Sequence, residues 1–98
     1  MDLRLQYTQR ALNDLAEIIG YIAEDDAEAA SRFGGNLLDH VELLARFPRM
    51  GNIVPKRRGI RKLLHSPVFV YYRLREKEGF IEVLHLRHAA RKPPKSFK

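Results

Sequence analysis

IRKLLHSPVFVYYRLREKEGFIEVLHLRHAAR, residues 60–91, is the stretch that decides the fold. Residues 68–74 and 80–86 are rich in β-branched and aromatic side chains. The charged segment Arg75-Glu-Lys-Glu-Gly79 between them reads as a hairpin turn, with Gly79 for the positive-φ position. Val68, Val70, Tyr72 and Leu74 fall on one face, Phe69 and Tyr71 on the other, while Ile81 and Val83 alternate with Phe80, Leu84 and Leu86. Strands that are apolar on both faces are central strands, so the rest of the chain is expected to cover these two. Residues 60–65 add a third strand with Arg61 and Lys62 on opposite faces, and Ser66-Pro67 turns it into the hairpin. After Leu86 the chain is expected to leave the sheet through the basic segment Arg87-His-Ala-Ala-Arg91.

Outward from this centre, residues 92–98 form a basic, proline-broken tail, expected to be flexible. On the other side, Lys56-Arg57-Arg58-Gly59 reads as a basic turn, residues 49–55 as a loop, and Phe47-Pro48 as a helix end. Upstream, Ala11, Leu12, Leu15, Ile18, Ile19 and Ile22 make a helical stripe behind Thr8, a hydroxyl N-cap. Asn13, Asp14, Glu17 and Glu24 are expected to face water. A second helix is predicted over residues 27–46, capped by Asp25 or Asp26, with Ala30, Phe33, Leu37, Val41 and Leu44 inward. Gly34 and Gly35 each cost about 1 kcal/mol relative to Ala in mid-helix, which points to close approach of the first helix or to a kink. Leu3, Leu5 and Tyr7 alternate as an N-terminal strand. The resulting class is α+β: a strand, an antiparallel helical hairpin, then a three-stranded antiparallel meander, β-α-α-β-β-β.

The chain has 98 residues, which suits one domain over residues 1–91 followed by the tail. It has no cysteine, so neither disulfides nor thiolate metal sites are available. No apolar run approaches the roughly 20 residues of a membrane helix, and the expected location is cytoplasmic. Charge is divided unevenly. Residues 1–55 carry five Arg against nine Asp or Glu, whereas residues 56–98 carry thirteen Lys or Arg against three Glu. That excess points to a polyanionic or acidic protein partner for the second half.

Several residues carry a family resemblance. Leu15, Ile18, Tyr21-Ile22, Asp25-Asp26, Ala29-Ala30 and Phe33 are followed by Leu44, Phe47-Pro48, Gly51 and Val54-Pro55. Then come Gly59-Ile60-Arg61, Val70-Tyr71-Tyr72-Arg73, Val83-Leu84, His88 and Arg91. This layout resembles the RelE/ParE superfamily of type II toxin–antitoxin systems, and its long helical hairpin looks most like the ParE branch. The resemblance implies a toxin held inactive by a cognate antitoxin, ParD-like or similar, and needing no cofactor. It implies DNA gyrase as the target, bound without bond chemistry, or in the RelE alternative ribosome-dependent cleavage of messenger RNA. The apolar helix surface offered to the antitoxin would be Leu15, Ile19, Ile22, Phe33 and Leu37. The target-binding set would be Arg57, Arg58, Arg61, Arg87, His88 and Arg91.

Cleavage of RNA needs a base for the 2′-hydroxyl, an acid for the leaving oxygen and cations for the phosphorane charge. The candidates are Arg61, His88 and Arg91, with His85 and Arg87 nearby in sequence. The chain departs from the RelE pattern where Val68-Phe69 replaces an expected arginine, and where the terminus offers Phe97 in place of a tyrosine. His85 reads as a half-buried strand residue bonded to the backbone. His40, His65, His85 and His88 lack the spacing of a metal site. A non-toxic, nucleic-acid-binding member of the same family is the third reading.

Overall fold

In the computed structural model, which describes residues 2–92 and 94–97, the elements run β1 (Arg4–Tyr7), α1 (Gln9–Asp25), α2 (Ala27–Glu42), a 3-10 turn (Leu43–Ala45), β2 (Asn52–Ile53), β3 (Ile60–His65), β4 (Val68–Arg75) and β5 (Phe80–His88). They form one five-stranded sheet in the order β1-β5-β4-β3-β2. β4 and β5 are interior, as their two apolar faces require. β1 joins β5 in parallel, with Leu5 opposite Ile81, and the other pairs are antiparallel.

The helices start where their caps predict. The Thr8 hydroxyl accepts the Ala11 N–H at 3.1 Å and donates to the Leu84 carbonyl, tying α1 to β5. Asp26 is the second cap, accepting from the Ala29 N–H. α2 runs unbroken through both glycines. A Cβ on Gly34 would lie 3.0 Å from Ile19 Cδ1, so this glycine admits the first helix; nothing in the structure requires a glycine at 35.

Four expectations are corrected. The second helix stops at Glu42 and tightens into the 3-10 turn, because the chain must bend before Pro48. The segment read as a loop contains β2, a two-residue edge strand pairing with Arg61 and Lys62, too short for a periodicity to show. β5 continues to His88, two residues beyond Leu86. It also carries a bulge: Tyr71 faces His85 but Tyr72 faces Val83, leaving Leu84 as the extra residue. Leu84 therefore stays on the outer face, and Leu86 turns to the helix side. Simple alternation had placed them together.

The bulge explains the fourth correction. Asp14 does not simply face water: its Oδ2 accepts from the Leu86 N–H at 3.1 Å and lies 2.5 Å from His85 Nδ1. A carboxylate from α1 thus clamps β5 where the bulge disturbs the ladder.

Both faces of the sheet are covered, unequally. On the helix side Ala11, Leu37, Val41 and Leu44 pack on Leu63, Val68, Val70, Tyr72, Ile81, Val83 and Leu86. On the other side a smaller cluster of Ile60, Tyr71 and Leu84 is flanked by Val54, Phe69 and Phe97. Tyr71 and Tyr72 point to opposite faces, and both are buried. The Phe97 ring lies 4.8 Å from that of Tyr71. The Lys95 carbonyl accepts from Arg57 Nη2 at 2.8 Å, so residues 94–97 lie along the outer face. Pro93 and Lys98, also in the expected tail, lie outside the described residues.

Candidate functional site

The outer face carries a groove of about 520 Å³. Its rim is the turn between β2 and β3. That turn is closed by backbone bonds from Val54 N–H to the Ile60 carbonyl, Arg57 N–H to the Val54 carbonyl and Ile60 N–H to the Arg57 carbonyl. Gly59 takes φ of 77°, as glycine can, but Lys56 takes φ of 62°. A non-glycine residue in the left-handed region costs on the order of 1 kcal/mol. The strained turn sets Lys56, Arg57 and Arg58 at the groove. Arg73 and Arg75 project from β4, and Lys95 comes from the tail. Glu82 is the acid in the lining, and its Oε1 is already engaged by Arg75 Nε at 3.2 Å. The side chains of Lys56, Arg58, Arg73 and Lys95 have no hydrogen-bond or ion-pair partner among the described residues. Six of the thirteen Lys and Arg in residues 56–98 thus gather at one groove.

The six residues assigned to target binding do not share this surface. Arg57 and Arg58 line the groove. Arg61 is opposite Tyr72 on the helix-side face, and its Nη1 donates to the Gly51 carbonyl at 2.9 Å. Arg87 is 8 % exposed, and its donors are used internally. Nε donates to the Tyr71 hydroxyl at 2.7 Å, and Nη1 reaches the carbonyls of His88, Ala89 and Arg91. His88 is exposed at the end of β5, where its Nδ1 accepts from the Ala90 N–H at 3.1 Å. Arg91 is exposed beside Glu17, at 3.9 Å. Arg61 and His88 are two strands apart and four register positions apart, so about 13 Å along the strands and about 10 Å across them separate their backbones.

The helix residues assigned to the antitoxin divide similarly. Leu37 is 1 % exposed and belongs to the core. Leu15 and Phe33 are half-buried against the core, while Ile19 and Ile22 are half-buried on the hairpin. The outward apolar side chains are instead Leu12, Tyr21 and Leu38, at 44 %, 74 % and 40 % exposure. Leu12 was readable as a member of the helical stripe, but periodicity does not say which edge of a stripe stays open. Arg73 and Arg75 were readable too, since period two puts them on the face of Phe69 and Tyr71.

The histidines fall into separate environments. His40 and His65 meet Nδ1 to Nδ1 at 2.8 Å. Among the described residues no three His, Cys, Asp or Glu side chains gather as metal ligands. His65 is pushed below the ordinary histidine value by burial and by His40. Burial pushes His85 down as well, and Asp14 opposes this only in part. The unfolded chain therefore binds more protons than the folded one across this range. The stability linked to these two rings is fully present above about pH 6.5 and is lost as pH falls from there through the two folded-state values. Thermal melts are expected to show a lower Tm near pH 5.5 than near pH 7.5; an equal or higher Tm in acid would contradict this environment for both rings.

Sequence comparison agrees with the geometry. Residues 5–93 match the family described as the ParE toxin of the type II toxin–antitoxin system parDE. A putative toxin of Sinorhizobium fredii, Y4kP, is 34 % identical over 85 residues, 84 % of this chain and 86 % of that protein. Toxin RelE2 of Caulobacter vibrioides is 33 % identical over 87 residues, covering 87 % and 93 %. The fold is also similar to a chain of the chromosomal ParDE system from P. aeruginosa, with a TM-score of 0.72 at 23 % identity, over 88 % of this chain and 95 % of that one. The chain belongs to the ParE toxin family of type II toxin–antitoxin systems, within the RelE/ParE superfamily, and is the toxin to which a cognate antitoxin corresponds.

Proposed function

We propose that this toxin stops growth by binding DNA gyrase and that it performs no bond chemistry of its own. The observation that carries this reading is the dispersal of the acid–base candidates. Arg61 secures a loop on one face, Arg87 is spent on its own chain, His85 is held by Asp14, and His88 lies at a strand end far from Arg61. General acid–base catalysis needs proton donors and acceptors converging on one reacting centre. What this chain offers is a large charged surface, which serves binding. The gyrase target follows from the ParE resemblance. The antitoxin, ParD-like in this reading, would cover the outward apolar side chains Leu12, Tyr21 and Leu38 with an amphipathic helix.

Purified toxin added in excess to gyrase is expected to block supercoiling of relaxed plasmid, and stoichiometric antitoxin is expected to restore it. Supercoiling that proceeds unchanged would remove the gyrase reading. Ribosome-bound transcripts cut in poisoned cells, with the cuts abolished by His88→Ala or Arg91→Ala, would establish the nuclease alternative.

A further inference from the structure

We infer that the outer groove is a binding site for the phosphate backbone of duplex DNA. Its lining brings together Lys56, Arg57, Arg58, Arg73, Arg75 and Lys95, from a turn, a strand and the C-terminal segment. Chain segments of different origin converging with one sign of charge are not the pattern of a merely solvated strand, where both signs alternate. Glu82, the acidic residue of the lining, is neutralised by Arg75. Arg57 is partly occupied, donating to the Lys95 carbonyl and lying 5.5 Å over the Phe97 ring. Lys56, Arg58, Arg73 and Lys95 remain available for a ligand.

The conformation of Lys56 adds an independent observation. Glycine would hold φ of 62° without strain, and the chain does use glycine three residues later, at Gly59. At position 56 it keeps a strained lysine at the rim. Backbone strain of this kind is retained where the side chain has work that a glycine could not do.

The same geometry favours a duplex over a single strand. Single-stranded nucleic acid is held by aromatic platforms on which bases stack. The aromatic ring in this lining, Phe97, is packed against Tyr71 and covered by Arg57, so it presents no free face of that kind. Cations without a stacking partner read phosphates and leave the bases alone. This inference does not depend on gyrase as target, because DNA alone is the probe.

The test is fluorescence anisotropy of the full-length toxin with a short labelled DNA duplex, across a salt titration. Each phosphate neutralised contributes about 0.9 to the slope of log affinity against log salt, so four free cations predict a slope near −3.6. The variant K56Q/R58Q/R73Q is expected to retain a slope near −1 and to bind at least about tenfold more weakly at low salt. Lys56→Gly removes one cation while relieving the strained turn. It should melt no lower than the parent and flatten the slope by about 0.9. Arg32→Gln, on α2 and beside Glu28, should leave binding as it was. Absence of DNA binding, or an unchanged slope in the triple variant, would overturn the proposal. So would an RNA duplex that binds about tenfold tighter than DNA, or polyglutamate that displaces DNA at equal charge concentration; these would assign the groove to RNA or to an acidic protein segment.

Discussion

Gly51→Ala is expected to lower the free energy of unfolding by about 3 kcal/mol, a fall in Tm of roughly 12–24 °C for a chain of this size. An added Cβ would sit 2.8 Å from the Lys62 carbonyl oxygen and 2.8 Å from both Cε1 and the hydroxyl of Tyr72. The first of these is strand backbone in β3, and the ring of Tyr72 is fully buried, so neither has room to move. Gly51 would have to withdraw, and its bonds would go with it. Its N–H donates to the Tyr72 hydroxyl at 3.0 Å, that hydroxyl donates to the Pro48 carbonyl at 2.7 Å, and the Gly51 carbonyl accepts from Arg61. Two side chains and three backbone groups thus form one small clamp that seats β2 against β3. Gly35→Ala is the matching control: nothing lies within 4 Å of its added Cβ, and a mid-helix alanine should stabilise by up to about 1 kcal/mol. Denaturant unfolding of the two variants should therefore move in opposite directions. A Gly51→Ala protein as stable as the parent would show that the loop can give way.

The clamp assigns a physical role to residues that first appeared as a family signature. Phe47-Pro48, Gly51, Gly59-Ile60-Arg61 and Tyr71-Tyr72-Arg73 look in the sequence like separate recognition marks. In the fold, Pro48, Gly51, Arg61 and Tyr72 belong to a single hydrogen-bonded set. Arg61 entered the target-binding set through the resemblance at Gly59-Ile60-Arg61. Its guanidinium is instead one of the loop's supports. Ile60 and Arg73 turn to the opposite face, toward the groove.

What was legible in the chain follows its periodicities. The caps at Thr8 and Asp26, the helical stripe, the central position of β4 and β5 and the turn at Gly79 all rest on local rules, and local rules are written in adjacent residues. What was hidden depends on pairs distant in sequence. The bulge at Leu84 leaves no trace in an alternating apolar run, yet it decides that Leu86 enters the helix-side core. Asp14 looked solvent-exposed because its helix neighbours are, and only the arrival of β5, 71 residues later, turns it into a clamp. The groove was half legible: the basic turn and the charge asymmetry were plain, but joining Arg58 to Arg73 and Lys95 required the sheet and the returning tail.

Arg87 is where the two ways of reading a basic residue separate most sharply, and Arg87→Ala is expected to cost about 2–4 kcal/mol. Deleting the guanidinium leaves the buried Tyr71 hydroxyl without its donor and removes Nη1 from the carbonyls of His88, Ala89 and Arg91. It also removes a cation that lies 5.0 Å from the Phe69 ring centre and 5.7 Å from that of Tyr71. Arg87→Lys should recover little, because one ammonium cannot serve a phenol and a turn of carbonyls in two directions as a planar fork does. If Arg87 is a support, the variant melts earlier but still inhibits growth when expressed at a temperature where it stays folded. If it is a target contact, melting is unchanged and toxicity is lost at every temperature. Measuring Tm and growth arrest on the same variants therefore distinguishes them, and the internal bonding of Arg87 predicts the first result.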